Sequence, residues 1–69
     1  MMTITDLCIL AQKYRETGPM ASSAQCCLED AYYLIRRHDF AAARERAIKS
    51  LAYSIGILHP DYQKATATL

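Results

Sequence analysis

Hydrophobic residues recur every three or four positions along most of the chain, which is the spacing of an amphipathic helix. The first such run predicts a helix over residues 4–17. Thr3 followed three positions later by Asp6 is a capping-box pattern at its start, and Thr5 is an alternative cap. A glycine–proline pair at 18–19 predicts its end, because proline cannot continue a helix. Its predicted core face comprises Ile4, Leu7, Cys8, Leu10, Ala11 and Tyr14.

A second helix is predicted over residues 23–37. Ser22 with Gln25 three positions later repeats the capping pattern. Arg36 and Arg37 fall in the last turn, where the helix dipole favours positive charge. The predicted core face comprises Ala24, Cys27, Leu28, Ala31, Leu34 and Ile35.

A third helix is predicted over residues 40–58. Asp39 is a suitable N-cap, and Pro60 ends the helix because the residue before a proline avoids the helical conformation. Pro60 followed by Asp61 also predicts the start of a short helix over 60–66. The predicted core face of the third helix comprises Phe40, Ala43, Ala47, Ile48, Leu51, Ile55 and Leu58.

The connection between the second and third helices is only about two residues long, which forces them into an antiparallel hairpin. The first helix then packs across this hairpin. Alanine, the best helix former, is abundant, whereas valine and tryptophan do not occur. We therefore expect an all-α fold: a three-helix unit built on an αα-hairpin with a short C-terminal helix, forming one domain over residues 1–69.

The segment 51–58 contains no charged residue. In the predicted third helix, Leu51, Ile55 and Leu58 lie on one face, while Tyr53, Gly56 and Ile57 lie on another. A helix that is apolar all round is normally buried all round. The sequence therefore predicts an interface with a second copy or another protein; the alternative is that the first or last helix covers this face. The predicted interface residues are Tyr53, Gly56, Ile57 and, from the second helix, Tyr33, with Arg44 and Arg46 as rim charges.

Length makes such a partner plausible on physical grounds. A chain of 69 residues, 52% of them hydrophobic, builds only a small core and usually needs a disulfide, a metal or a partner chain. Cys8, Cys26 and Cys27 are an odd set with two adjacent members, so we expect reduced, buried cysteines. His38 and His59 would lie about 30 Å apart along one helix, which argues against a shared metal site.

Catalytic patterns do not occur at local spacing. There is no glycine-rich phosphate loop, and the adjacent carboxylates of Glu29 and Asp30 diverge on a helix. We expect no enzyme activity, no cofactor and no small-molecule substrate. The first residues lack the pattern of a signal peptide, and no apolar run reaches the length of a membrane span. We therefore expect a cytoplasmic protein.

Basic residues concentrate between positions 36 and 49, where the local net charge is +3, although the whole chain carries only +1. Such a patch can bind phosphates, which makes a nucleic-acid-binding regulator the alternative function. Acidic residues interleave the basic ones, which favours an ordinary solvated face or an acidic protein partner. The residues concerned are Arg36, Arg37, Arg44, Arg46 and Lys49.

The predicted hairpin carries a short pattern around its turn. Asp39 and Phe40 stand in the turn, Ala43 follows three positions after the aromatic residue, and Ala31 is a small residue in the preceding helix. In these positions the hairpin resembles a single tetratricopeptide repeat, a likeness that covers about half of the chain. The resemblance implies two antiparallel helices and a role in protein binding.

Several positions depart from the pattern of that family. Such repeats also need about three copies to be stable, so the resemblance concerns the geometry of the hairpin. His38 stands where the family has glycine, Ala47 where it has an aromatic residue, and the proline expected near Ile55 comes only at Pro60.

Taken together, these patterns predict a small non-enzymatic interaction protein that self-associates as a homodimer or docks on a larger protein. It would act by docking or masking, without chemistry. Short chains of this kind are typical of accessory or regulatory proteins of phage and other mobile elements, and of small chaperones.

Overall fold

The computed structural model describes residues 2–67, so that Met1, Thr68 and Leu69 of the predicted domain lie outside the described residues. Four helices follow one another along the chain, and the described part contains no strand. The fold is all-α, a three-helix unit with a short C-terminal helix, as the sequence predicts. The helices are α1 (Ile4–Lys13), α2 (Ala21–Arg36), α3 (Phe40–Ile55) and α4 (Pro60–Thr66).

The antiparallel pair α2 and α3 forms the centre of the fold. The Ser50 hydroxyl donates a buried hydrogen bond of 2.7 Å to the backbone carbonyl of Ala24. Further along, a guanidinium nitrogen of Arg46 lies 4.0 Å from a carboxylate oxygen of Asp30. These two contacts fix the register, with 24 opposite 50 and 30 opposite 46. Alanines 31, 43 and 47 are fully buried and allow close approach of helices.

The turn between α2 and α3 ends one helix and begins the next within three residues. The His38 amide donates to Ile35 and the Asp39 amide to Leu34, a Schellman pattern that satisfies the last carbonyls of α2. The Asp39 carboxylate then accepts from the amide of Ala42 at 3.3 Å, which confirms Asp39 as the N-cap of α3. The short connection therefore produces the predicted hairpin.

Helix α1 lies across the hairpin and α4 closes one side of the core. The Tyr32 hydroxyl donates to the side chain of Gln12 at 3.1 Å, joining α2 to α1. Ala65 of α4 is 1% exposed within the core cluster. The predicted core faces of the first two helices are confirmed as buried or half-buried. On the third, Phe40 and Leu58 are instead 49% and 83% exposed.

Helix α1 ends at Lys13, four residues before the predicted end. The amides of Arg15 and Thr17 each donate to the carbonyl three residues back, so the chain has already tightened into a turn. Thr3 caps the start as predicted, accepting from the Asp6 amide at 3.1 Å. The prediction that the helix runs to residue 17 was wrong because it took the glycine–proline pair as the first stop signal.

Helix α2 begins two residues earlier than predicted. The Met20 carbonyl already accepts from the Ala24 amide, and no side chain caps this end. The predicted Ser22 capping box therefore does not form, because the helix has begun by the time the chain reaches Ser22.

Helix α3 ends at Ile55, three residues before the predicted end. Gly56 follows with φ +84° and ψ 159°, a conformation that is essentially restricted to glycine. The helix therefore ends at Gly56 and not at Pro60. The predicted α4 over 60–66 matches, with Pro60 in the first turn.

Candidate interaction surface

Exposed apolar side chains collect at the end of the hairpin opposite its turn. The α1–α2 and α3–α4 connections meet there, since a Cβ added to Gly18 would lie 2.8 Å from the Ser54 carbonyl oxygen. Met20 is 47%, Ile57 61% and Leu58 83% exposed. With the half-buried Tyr53, these three residues form what we call the apolar end.

The four predicted interface residues occupy two places. Tyr53, Gly56 and Ile57 belong to the apolar end or border it. Tyr33 lies on the outer surface of α2 near the hairpin turn and is 55% exposed. Ile57 lies in a turn, so the prediction that it belongs to a second face of a long helix was wrong.

Sequence reasoning missed two members of the apolar end. Leu58 was assigned to the core because it continues the helical spacing of α3. Met20 lies in a connection that only the fold brings near the end of α3. Gly56 was the available signal for Leu58, since glycine is common just after a helix.

A shallow groove of about 310 Å³ runs along the outer side of the hairpin, between α2 and α3. We call this side the hairpin face. Small and charged side chains line the groove, and the side chains of Asp30 and Arg46 there are 58% and 46% exposed. The lining residues are Ser22, Ser23, Cys26, Cys27, Asp30, Arg46, Lys49 and Tyr53.

The five basic residues proposed for phosphate or acidic partners do not form one patch. Arg46 and Lys49 line the groove of the hairpin face, whereas Arg36 borders a depression on the outer side of α2. Arg37 donates to the Tyr33 hydroxyl at 3.1 Å and lies over its ring. Arg44 donates at 2.7 Å to the backbone carbonyl of Met2. The hairpin therefore separates residues that are close in sequence.

Arg44 is half-buried beneath the start of α1, so it does not lie on the rim of an exposed interface. Its Nη2 donates to the Met2 carbonyl, and its Nη1 is buried without a hydrogen-bond partner among the described residues. Its role in the structure is to attach the start of α1 to α3.

The three cysteines differ in exposure. Cys8 and Cys27 are buried as expected, and burial raises the pKa of the Cys8 thiol. Cys26 is exposed, so the expectation of burial was wrong for this residue. Like Gln25 before it, Cys26 lies on the solvent-exposed side of α2, outside the predicted core face.

A polar cluster joins the end of α1 to the start of α4. The Tyr14 hydroxyl donates to the Asp61 carboxylate at 2.6 Å, and the Asp61 amide donates to His59 Nδ1 at 3.0 Å. The hydrogen bond from Tyr14 holds the pKa of Asp61 below its usual range, and it raises the pKa of Tyr14. No sequence pattern indicated this contact, which attaches α4 to the rest of the fold.

A second groove, of about 350 Å³, lies between α1 and α2 and has an uncharged lining. Within the described residues, no three His, Cys, Asp or Glu side chains are grouped to hold a metal ion. None of the described helices combines the length and the apolar character needed to cross a membrane. The lining residues of the groove are Thr5, Cys8, Ile9, Gln12, Tyr32 and Ile35.

Comparison with known proteins returns no family model, curated protein or solved structure that matches this chain. By its fold and surface alone, the chain is classed as a small all-α protein, built on a helical hairpin, with apolar side chains exposed at one end.

Proposed function

We propose that this chain is a small non-enzymatic protein–protein interaction module that self-associates. It would act by docking or masking, as an accessory or regulatory protein does. The observation that carries the proposal is the apolar end, where Ile57 and Leu58 are 61% and 83% exposed in a turn without a charged residue.

The core of this chain contains few large apolar side chains. Its largest fully buried side chains are Leu7, Leu51 and Ser50, and alanine supplies most of the rest. Fully burying an Ile, Leu or Met side chain contributes roughly 1.5–3 kcal/mol relative to leaving it exposed. Burying the side chains of the apolar end in an interface would therefore add substantially to the free energy of unfolding, which is small for a fold of this size.

Shape supports a second copy as the partner. The backbone extends over 30 × 26 × 15 Å, and its smallest extent corresponds to two layers of packed helices. A two-layered unit of 69 residues has much surface and a small interior. Pairing the same surface of two copies is the commonest symmetry of small oligomers and uses one patch twice.

The hairpin geometry is in keeping with a binding role. Ala31 and Ala43, two of the residues shared with the tetratricopeptide pattern, are fully buried. Asp39, a third, caps α3. The resemblance suggests protein binding, and it supports the proposal without identifying a partner.

The proposal is tested with Ile57→Asp, which places a charge in the apolar end. The matched control is Ile9→Asp, because Ile9 is 64% exposed but lies on α1, away from that end. We expect the first variant to be monomeric at concentrations where the native chain and the control are dimeric, with helicity unchanged in circular dichroism. Equal association of both variants would show that the apolar end is not the interface.

A further inference from the structure

Two rows of side chains border the groove of the hairpin face, one on each helix. Within each row the spacing is three or four residues, which keeps the members in line along the helix. The α2 row lines the groove with Ser23, Cys26 and Asp30, and the α3 row lines it with Arg46, Lys49 and Tyr53. The helical spacing continues the two rows beyond the groove, toward the hairpin turn, to Tyr33 and Ala42.

The register of the hairpin matches these rows member by member. Ala24 lies opposite Ser50, and Asp30 lies opposite Arg46. In this register, small residues of one row lie opposite large residues of the other, and an acidic residue lies opposite a basic one. Asp30 and Arg46 are 4.0 Å apart and substantially exposed, so each retains capacity for another partner. The other level pairs are Ser23 with Tyr53, Cys26 with Lys49, and Tyr33 with Ala42.

We propose that two copies pack hairpin face to hairpin face about a two-fold axis that runs parallel to α2 and α3. This proposal rests on the proposed self-association and specifies its geometry. A rotation about such an axis leaves positions along the helices unchanged. Each α2 therefore lies over α3 of the second copy, in the same register that it has with α3 of its own chain. Asp30 of each copy then lies opposite Arg46 of the other.

The apolar end continues this interface. Met20 precedes α2 by one residue and Ile57 follows α3 by two, so the same rotation brings Met20 of one copy level with the α3–α4 turn of the other. The exposed apolar groups of both copies would then lie at one end of the interface, about 15 Å along the helices from the charged pairs. The result is a four-helix core shared by the two copies.

Charge disfavours the other simple stacking. Laying α3 on α3 of the second copy would bring together the rows that contain Arg46 and Lys49 in both copies. Like charges opposed across an interface cost free energy, whereas α2 over α3 opposes unlike charges. The hairpin face therefore fits a second copy of this chain in one orientation.

The test uses two charge variants, Asp30→Arg and Arg46→Asp. Alone, each opposes like charges twice, and we expect its dimer to dissociate with a constant raised about tenfold or more. Mixed in equal amounts, they should form a heterodimer, because both contacts between copies then join unlike charges. Mixing leaves the charge pairs within each chain unchanged, so any gain in dimerisation on mixing comes only from contacts between copies.

Native mass spectrometry of the mixture distinguishes the heterodimer by mass. Glu45→Arg is the control, since Glu45 is exposed beside Arg46 but outside the α3 row, and it should dimerise as the native chain does. The double variant Asp30→Arg/Arg46→Asp in one chain should also dimerise. A mixture that stays monomeric while the native chain dimerises would overturn this geometry alone. A monomeric native chain would overturn the proposed function as well.

Discussion

His38 adopts φ +62°, the left-handed conformation that side chains other than glycine rarely take. It occupies the position after α2 where the Schellman pattern usually has glycine. Its ring makes an edge contact with Phe40, with centroids 5.8 Å apart. The conformational cost for a residue with a Cβ is roughly 1 kcal/mol, which this exposed contact only partly offsets.

Replacing His38 with glycine should therefore raise the free energy of unfolding by about 0.5–1 kcal/mol. Urea denaturation followed by circular dichroism measures this. His38→Ala is the control, because it loses the ring contact but keeps the strained conformation, and it should not stabilise. If His38→Gly lowered the free energy of unfolding as much as His38→Ala does, the turn would not be strained at this residue.

The hydrogen bond from Tyr14 to Asp61 gives the second residue-level prediction. In Tyr14→Phe the pKa of Asp61 should rise toward its usual range, because the largest cause of its depression is removed. An NMR titration of the Asp61 carboxyl measures the change. Tyr62→Phe is the control, since the Tyr62 hydroxyl makes no side-chain hydrogen bond to Asp61 in the described structure.

The sign of the effect on stability follows from the lowered pKa. A carboxyl group with a depressed pKa in the folded state stabilises the fold above its unfolded-state pKa, and the contribution is lost as pH falls through the folded-state value. Tyr14→Phe should therefore destabilise at neutral pH and differ less from the native chain in acid. A difference that grew in acid would contradict this.

Two glycines in the left-handed φ range lie in the connections at one end of the hairpin. Gly18 has φ +82° and lies close to the Ser54 backbone, whereas Gly56 has φ +84° with open space around it. Both glycines bound the apolar end, one before α2 and one after α3. The positions of Met20 and Ile57 therefore depend on these two turns.

Gly18→Ala should be the more costly of the two glycine substitutions. We expect a loss of about 3 kcal/mol or more, because backbone strain adds to a contact with the Ser54 carbonyl oxygen that only backbone movement can relieve. Gly56→Ala should cost about 1–3 kcal/mol from strain alone. Thermal unfolding of both variants provides the comparison, and a smaller loss at Gly18 would show that the two connections are not closely packed.

Periodicity predicted the first three helices and the core faces of α1 and α2, because those faces are bounded by polar residues, whereas α4 was predicted from the Pro60–Asp61 start signal. It did not place the end of α3, since Ile57 and Leu58 continue the helical spacing although they follow the Gly56 turn. It also could not give the pairing of Asp30 with Arg46 or of Tyr14 with Asp61. Those contacts depend on the register of helices, which the sequence pattern leaves open.

At the scale of the whole molecule, the small size explains why so many large apolar side chains remain exposed. With a backbone extent of 15 Å in its smallest dimension, the unit consists of two layers of helices, and each layer has one side that faces solvent. The two grooves and the apolar end are consequences of this shape. Association through the hairpin face would double the thickness and bring the apolar ends of the two copies to the same end of the dimer.

Sedimentation velocity of the native chain over a concentration series tests whether a second copy buries the exposed apolar side chains. With 7.8 kDa per chain, a dimer is readily separated from a monomer by mass. We expect a shift from monomer to a dimer of twice that mass as the concentration rises through the micromolar range. A chain that remains monomeric at high micromolar concentration, while fully helical, would contradict self-association.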